Sequence, residues 1–184
     1  MVSTETKSKT GLGQLSGSTV RLRALEPEDI NLLYETENDE RSWNLTGSKI
    51  PFSKFTLRAY IENAHQEIHI SGQYRFVIES IKTKMPVGLI DLFNFDLYNK
   101  RAEVGVLITA ANRNTGFAKE ALNLLIQYSR LHLDLHQIYA NIPLDNKPCI
   151  SLFKRANFIE TGSKKDWIYH KKEYFTLSTY QLIF

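Results

Sequence analysis

The sequence predicts a mixed α/β domain in which a central sheet of about seven strands carries helices on both faces. Three observations predict it. The hydrophobic periodicity switches between two and 3.6 residues in the order strand, two helices, three strands, helix, strand, helix, two strands. The 184 residues hold 42% hydrophobic and 23% charged side chains, ordinary values for one folded unit. An apolar strand runs straight into a turn that opens a helix around Gly116.

Val20, Leu22 and Ala24 alternate with Arg21 and Arg23, which predicts a half-buried strand over Thr19–Leu25. Pro27 suits the first turn of a helix over about Glu26–Asn38, with Ile30, Leu33 and Tyr34 on one side. Residues 45–52 carry Gly47 and Pro51 and read as loop. Ser53 is a cap for a second helix to about Gln66, with Phe55, Leu57, Tyr60 and Ile61 as its buried side. Arg75–Ile81, Met85–Asp96 and Arg101–Thr109 read as strands, the last with both faces covered. A third helix is expected over Gly116–Leu131, with Phe117, Ala121, Leu124, Leu125 and Tyr128 in a stripe. A short strand, Gln137–Ile142, a short helix, Lys147–Arg155, and two aromatic-rich strands in Phe158–Phe184 complete the chain.

Residues 1–18 lack an apolar central stretch and are expected to be a loose tail, leaving 19–184 as a single domain. The formal charge of +3 is too weak for the field of a nucleic-acid binder. No apolar run approaches the roughly 20 residues of a membrane-spanning helix. Cys149 is the only cysteine, so no intrachain disulfide forms and a reducing cytoplasm is expected. His65 and His69 have no third ligand, so no metal site is expected; His132 and His136 flank the end of the third helix.

Chemistry concentrates in Arg113-Asn114-Thr115-Gly116-Phe117-Ala118-Lys119. A helix start offers unpaired N–H groups and partial positive charge, an anion site suited to a pyrophosphate. Gly116 admits close approach, Ala118 keeps the first turn open and Arg113 adds a cation. The alternative is a plain strand–turn–helix with a capping glycine. Neither G-x-x-x-x-G-K-[ST] nor a strand-linked G-x-G-x-x-G occurs, which argues against an ATPase or a nicotinamide enzyme.

The R-x-x-G-x-A stretch resembles the acetyl-coenzyme A loop of the GNAT superfamily of N-acetyltransferases. Arg101–Ile108 resembles the strand before that loop, and Asp145–Phe158 resembles the later asparagine-containing segment. Thr19–Glu37 and Tyr74–Asp96 are similar to the subgroup of spermidine acetyltransferases and ribosomal-protein N-terminal acetyltransferases.

The resemblance implies a sheet splayed at the cofactor site and transfer of acetyl from acetyl-coenzyme A to a primary amine. Val106, Leu107 and Ile108 would offer main-chain groups to the pantetheine arm, and Arg113–Lys119 would hold the pyrophosphate. Asn146 would contact the cofactor, or cap the helix that follows it, or both. Phe153 would join the cofactor contacts, standing where relatives often have a tyrosine that protonates the leaving thiolate, and Asn157 replaces a glycine. Cys149 stands where the N-terminal acetyltransferases often have serine, either as a weak donor or as a buried hydrophobe. Glu103 is the first candidate base and Asp91 the second, each with the alternative of a salt-bridged carboxylate. Glu35, Glu37, Asp39 and Glu40, with Trp43, would border the acceptor groove. Such a rim suits a cationic amine, a polyamine ahead of a basic peptide N-terminus; the alternative is a solvated helix face. Trp167 either lines that groove with Trp43 or, as the first expectation, packs in the core. The aromatic C-terminal strands imply a homo-oligomer contact. Phe153 and Asn157 also leave open a catalytically silent, cofactor-binding regulatory module; a binding domain without cofactor is a third reading.

Overall fold

The computed structural model describes residues 15–39, 50–64, 72–170 and 172–184. Gly11 and Gly13, Glu40, Trp43, His65 and His69 lie outside them. Seven strands form one sheet: β1 (Val20–Arg23), β2 (Gln73–Ser80), β3 (Pro86–Asp96), β4 (Arg101–Ile108), β5 (Gln137–Pro143), β6 (Ile159–His170) and β7 (Glu173–Ile183). Their order across the sheet is β1-β2-β3-β4-β5-β7-β6. Every neighbouring pair is antiparallel except β4 and β5. A parallel pair needs a long crossover, and α3 (Phe117–Leu131) supplies it. Among the described residues no helix is long and apolar enough to cross a membrane.

Strand alternation divides the apolar side chains between two layers. Ile78, Ile90, Leu92, Ala102 and Val104 face the large core that α3 covers with Ala121, Leu122, Leu124 and Leu125. Val77 and Leu89 point the other way, against Leu32 and Leu33 of α1 (Ile30–Glu37) and Leu57 and Ile61 of α2 (Lys54–Asn63). Between β5 and β6 lies α4 (Lys147–Arg155).

Local chemistry sets the helix ends. Ser53 caps α2 by accepting the Thr56 N–H at 3.1 Å. The predicted first helix begins instead as a single 3-10 turn over Pro27–Asp29. Asp29 folds back to accept the Glu26 N–H at 2.9 Å and is itself held by Arg23. Asn157, just past α4, has φ of 66°. That left-handed position explains the glycine expected there, and asparagine is the side chain that best tolerates it.

Three expectations are corrected. Phe55 is 81% exposed, because Leu57 and Ile61, one turn apart, own the buried side of α2. Trp167 is 59% exposed rather than in the core, with the Lys164 ammonium 4.6 Å from its ring centre. The reason is topological: β5 pairs with β7 only as far as Pro143 and Leu177, and the outer ends of β6 and β7 pair only with each other. Finally, the expected loose tail is tied down at its end. Leu15 packs on the core, and Ser18 and Thr19 donate backbone and hydroxyl hydrogens to Glu120 of α3.

Candidate functional site

The parallel pair β4–β5 is short. Register runs from Arg101 opposite Gln137 through Ala102 opposite Ile138 to Glu103 opposite Tyr139, and stops there. From Val104 to Ile108, β4 stays paired with β3 but, among the described residues, has no strand on its other side. Val106, Leu107 and Ile108, expected to be covered on both faces, are accordingly only half-buried. A wedge therefore opens in the sheet, with Glu103 at its apex.

At the far end of β4 the chain passes through a 3-10 turn, Ala110–Asn112, into the start of α3. Asn114 and Gly116 have φ of 62° and 88°. Only glycine adopts the second without cost, and Gly116 caps α3 with no side chain of its own. The N–H groups of residues 114–118 make no hydrogen bond to a backbone carbonyl outside regular elements. Side chains do not plug the turn. Arg113 reaches back to the Ile108 carbonyl at 3.3 Å, and the Thr115 hydroxyl donates to the Asn112 carbonyl at 2.7 Å. Arg113, Asn114, Thr115, Gly116 and Lys119 are exposed, and Phe117 and Ala118 half-buried. A turn of this shape, opening a helix just beyond the open stretch of β4, is chemically able to receive an anion.

Asn146 caps α4: its carbonyl oxygen accepts the Cys149 N–H at 3.3 Å. The Cys149 thiol is half-buried, and burial pushes its pKa up to about 11, so it stays protonated at neutral pH. The resemblance puts Phe153 among the cofactor contacts. It is 1% exposed and meets Phe158 edge-on at 4.9 Å, so its surface goes to packing.

The face of the sheet toward α1 and α2 carries the carboxylates. Glu103 is buried, and neutral amides hold both its oxygens: Asn141 donates to Oε1 at 2.8 Å and Asn94 to Oε2 at 2.9 Å. No Lys, Arg or His lies within 4.0 Å of it among the described residues. Tyr139, its partner across the last rung, has its phenol pKa raised by burial and then by Glu103. Asp91 is different. Arg75 donates to both its oxygens at 2.9 Å and reaches Glu37 of α1 at 2.6 Å, while stacking 5.4 Å from the Tyr60 ring centre. Burial raises the Asp91 pKa and Arg75 pulls it back. Burial would lower the Arg75 guanidinium, but Asp91 and Glu37 outweigh it and hold it above its ordinary value. Asp91 is thus an ion-pair partner, and Glu103 is the carboxylate without a cation.

Of the acidic residues at the end of α1, Glu35 is exposed, Glu37 binds Arg75 and Asp39 is half-buried. Asn38 ties this end to the entry of α2 through a paired amide contact with Phe52, at 2.7 and 3.0 Å. Asn94, Asn141, Tyr139 and Arg75 escaped sequence reasoning. In the structure Asn94 sits where a β-bulge interrupts the register between Phe93 and Asp96.

Comparison with known proteins places this geometry. The family described as an acetyltransferase (GNAT) domain matches residues 19–159. A spermidine N(1)-acetyltransferase of Vibrio cholerae is 28% identical over 145 residues, covering 79% of this chain and 82% of that protein. A putative ribosomal N-acetyltransferase, YdaF of Bacillus subtilis, is 27% identical over 172 residues, covering 89% and 91%. The crystal structure of the Vibrio cholerae spermidine N-acetyltransferase with CoA and spermine superposes with a TM-score of 0.81 at 24% identity, covering 91% and 96%.

Proposed function

The chain belongs to the acetyltransferase (GNAT) domain family, and from that premise we propose that it moves an acetyl group from acetyl-coenzyme A to a primary amine, with a polyamine such as spermidine or spermine as acceptor. The observation that carries this reading is the parting of β4 from β5 after Glu103, with an open anion-binding turn at the other end of the same strand.

The residues fit the cofactor. The N–H groups of residues 114–118, with Arg113 and Lys119 alongside, suit a diphosphate. The unpaired side of Val106, Leu107 and Ile108 suits an amide-bearing arm lying as an added strand. Asn146 uses its oxygen as a cap and keeps its amide N–H groups for a ligand. When bound, acetyl-coenzyme A supplies an activated acetyl thioester. Glu103 takes the proton that the amine must lose, since a free alkyl amine is mostly protonated at neutral pH. Phe153 has no proton to give; with thiol pKa values near about 8.5, an acid at that place is dispensable.

Several features support a cationic acceptor. Glu103 offers negative charge that no neighbouring cation offsets. Glu35 is an exposed carboxylate at the end of α1, and Asp39, Glu40 and Trp43 belong to the same proposed rim. The relatives named spermidine acetyltransferases favour a polyamine over a peptide N-terminus, which the YdaF likeness keeps as the alternative. The exposed Trp167, Tyr169 and Tyr174 of the β6–β7 ribbon support a homo-oligomer contact, which light scattering measures.

The test is thiol release from acetyl-coenzyme A with spermidine, spermine and basic peptides, for the parent and Glu103→Gln. The reading requires turnover with at least one amine and a loss of about 10²-fold or more in kcat for the variant. Thermal stabilisation by coenzyme A without turnover on any amine would instead favour a silent cofactor-binding module, the reading that the packed Phe153 motivates.

A further inference from the structure

We infer that Asn94, Asn141 and Thr179 form a positioning clamp that fixes Glu103 for the incoming amine; this rests on the role proposed for Glu103 above. A carboxylate oxygen offers two lone pairs. One on Oε1 goes to the Asn141 amide and one on Oε2 to the Asn94 amide, at 2.8 and 2.9 Å. The Tyr139 phenol also reaches the carboxylate, and the lone pair that remains is left for an N–H of the acceptor. Both clamp groups are neutral and only donate here, so neither competes with Glu103 for the proton it takes nor cancels its charge. Arg75, in contrast, grips the nearby Asp91 with a full positive charge.

An asparagine side chain can point its oxygen or its nitrogen at Glu103, and only the nitrogen attracts a carboxylate. Thr179 decides between them. Its hydroxyl donates to Asn141 Oδ1 at 2.7 Å, which turns Asn141 Nδ2 toward Glu103. Register makes this possible: Asn141 and Thr179 are direct partners across β5 and β7, so their side chains share a face. The opposite arm uses backbone geometry. Asn94 sits in the β3 bulge with φ of 50°, which breaks the alternation and re-aims its amide at Glu103. Three strands, β3, β5 and β7, thus converge on one residue of β4 at the point where the sheet opens.

The test compares kcat and KM for an amine with the parent, Asn141→Leu, Thr179→Val, Thr179→Ser and Asn94→Gly, alongside Glu103→Gln. Glycine suits the positive φ of residue 94, so Asn94→Gly removes the amide and spares the backbone. We expect kcat to fall about 10- to 100-fold for Asn141→Leu and about 3- to 10-fold for Thr179→Val and Asn94→Gly. Thr179→Ser restores most of the loss, because it keeps the hydroxyl. The KM for acetyl-coenzyme A and the thermal shift with coenzyme A stay as in the parent. Equal kcat for Thr179→Val and Thr179→Ser, or a full kcat for Asn94→Gly, overturns the clamp while Glu103→Gln still reports on the base. An active Glu103→Gln overturns the underlying role instead.

Discussion

Replacing Arg75 by methionine tests whether the ion triad beneath α1 is held by charge or by packing. The Arg75, Glu37 and Asp91 side chains are only 16%, 16% and 15% exposed. Methionine fills most of the stem volume but takes the guanidinium from Asp91 in a poorly hydrated layer and removes one partner of Glu37. Breaking a buried pair by removing one partner typically costs ~3–5 kcal/mol. Loss of the stack on Tyr60 adds ~0.5–1 kcal/mol. Arg75 also borders a cavity of about 530 Å³, through which water could reach the stranded groups. We therefore take the lower end, ~3–4 kcal/mol at neutral pH. At ~2–4 °C per kcal/mol for a chain of this size, Tm falls by ~6–16 °C.

The pH dependence separates the causes. Burial already raises the Asp91 pKa in the parent, against the pull of Arg75. A carboxyl whose folded pKa is raised favours the fold below its unfolded pKa, and that advantage disappears as pH rises through the folded value. Without Arg75 the raising is larger. The variant's penalty is therefore greatest at neutral to alkaline pH and shrinks as the carboxylates protonate. Thermal melts of parent and variant at about pH 8 and about pH 5 read this directly. Removing the charges as well, in Arg75→Met with Glu37→Gln and Asp91→Leu, should recover most of the loss. A Tm difference equal at both pH values, or a triple variant no better than the single, would refute the electrostatic account.

Two other positions give independent expectations. Glu120 accepts hydrogen bonds from Ser18 and Thr19, and despite partial burial these hold its pKa near about 2, against an ordinary 4.5. A lowered carboxylate stabilises above its unfolded pKa and loses that contribution as pH falls from 4.5 toward 2. After discounting for solvent screening, Glu120→Gln should cost ~1 kcal/mol at neutral pH in urea melts, with parent and variant converging in acid. Ser178 is fully buried and its hydroxyl has no hydrogen-bond partner among the described residues. Ser178→Ala should therefore raise Tm by ~2–4 °C, corresponding to about 1 kcal/mol; a lower Tm would mean the hydroxyl has a buried partner.

What the sequence discloses is what is written locally. The Arg113–Ala118 turn, the Ser53 and Asn146 caps and the order of elements all follow from residues within a few positions of one another. Phe55 misled because an apolar residue near a helix start fits the stripe by type but not by angle. Trp167 misled because a strand beyond the end of its neighbour looks the same in sequence as one inside a sheet. The separation of β4 from β5 left no mark on β4, whose apolar alternation serves a paired or an open strand equally. The Arg75 triad joins residues 37, 75 and 91, and the Glu103 clamp joins 94, 103, 141 and 179. Such pairings depend on strand register, which no short window contains.

The same strand geometry bears on the kind of donor the site can use. Glu103 and Ile108 stand at the two ends of the open stretch of β4, five residues apart. At a rise of about 3.3 Å per residue they are separated by ~17 Å. The turn proposed to bind the anion begins only beyond Ile108, while Glu103, the proposed base, sits at the apex. A short acyl donor such as acetyl phosphate could occupy one end but not both, because strand pairing with β3 fixes the spacing. The donor must carry its anionic group and its acyl group on opposite ends of a long, extended arm. An arm with amide groups gains further from the unpaired edge of Val106–Ile108, where it completes a ladder that β5 abandons. Length, polarity and charge placement thus converge on a coenzyme A thioester without reference to any one contact, and shortening the arm should weaken transfer more than any single substitution in the turn.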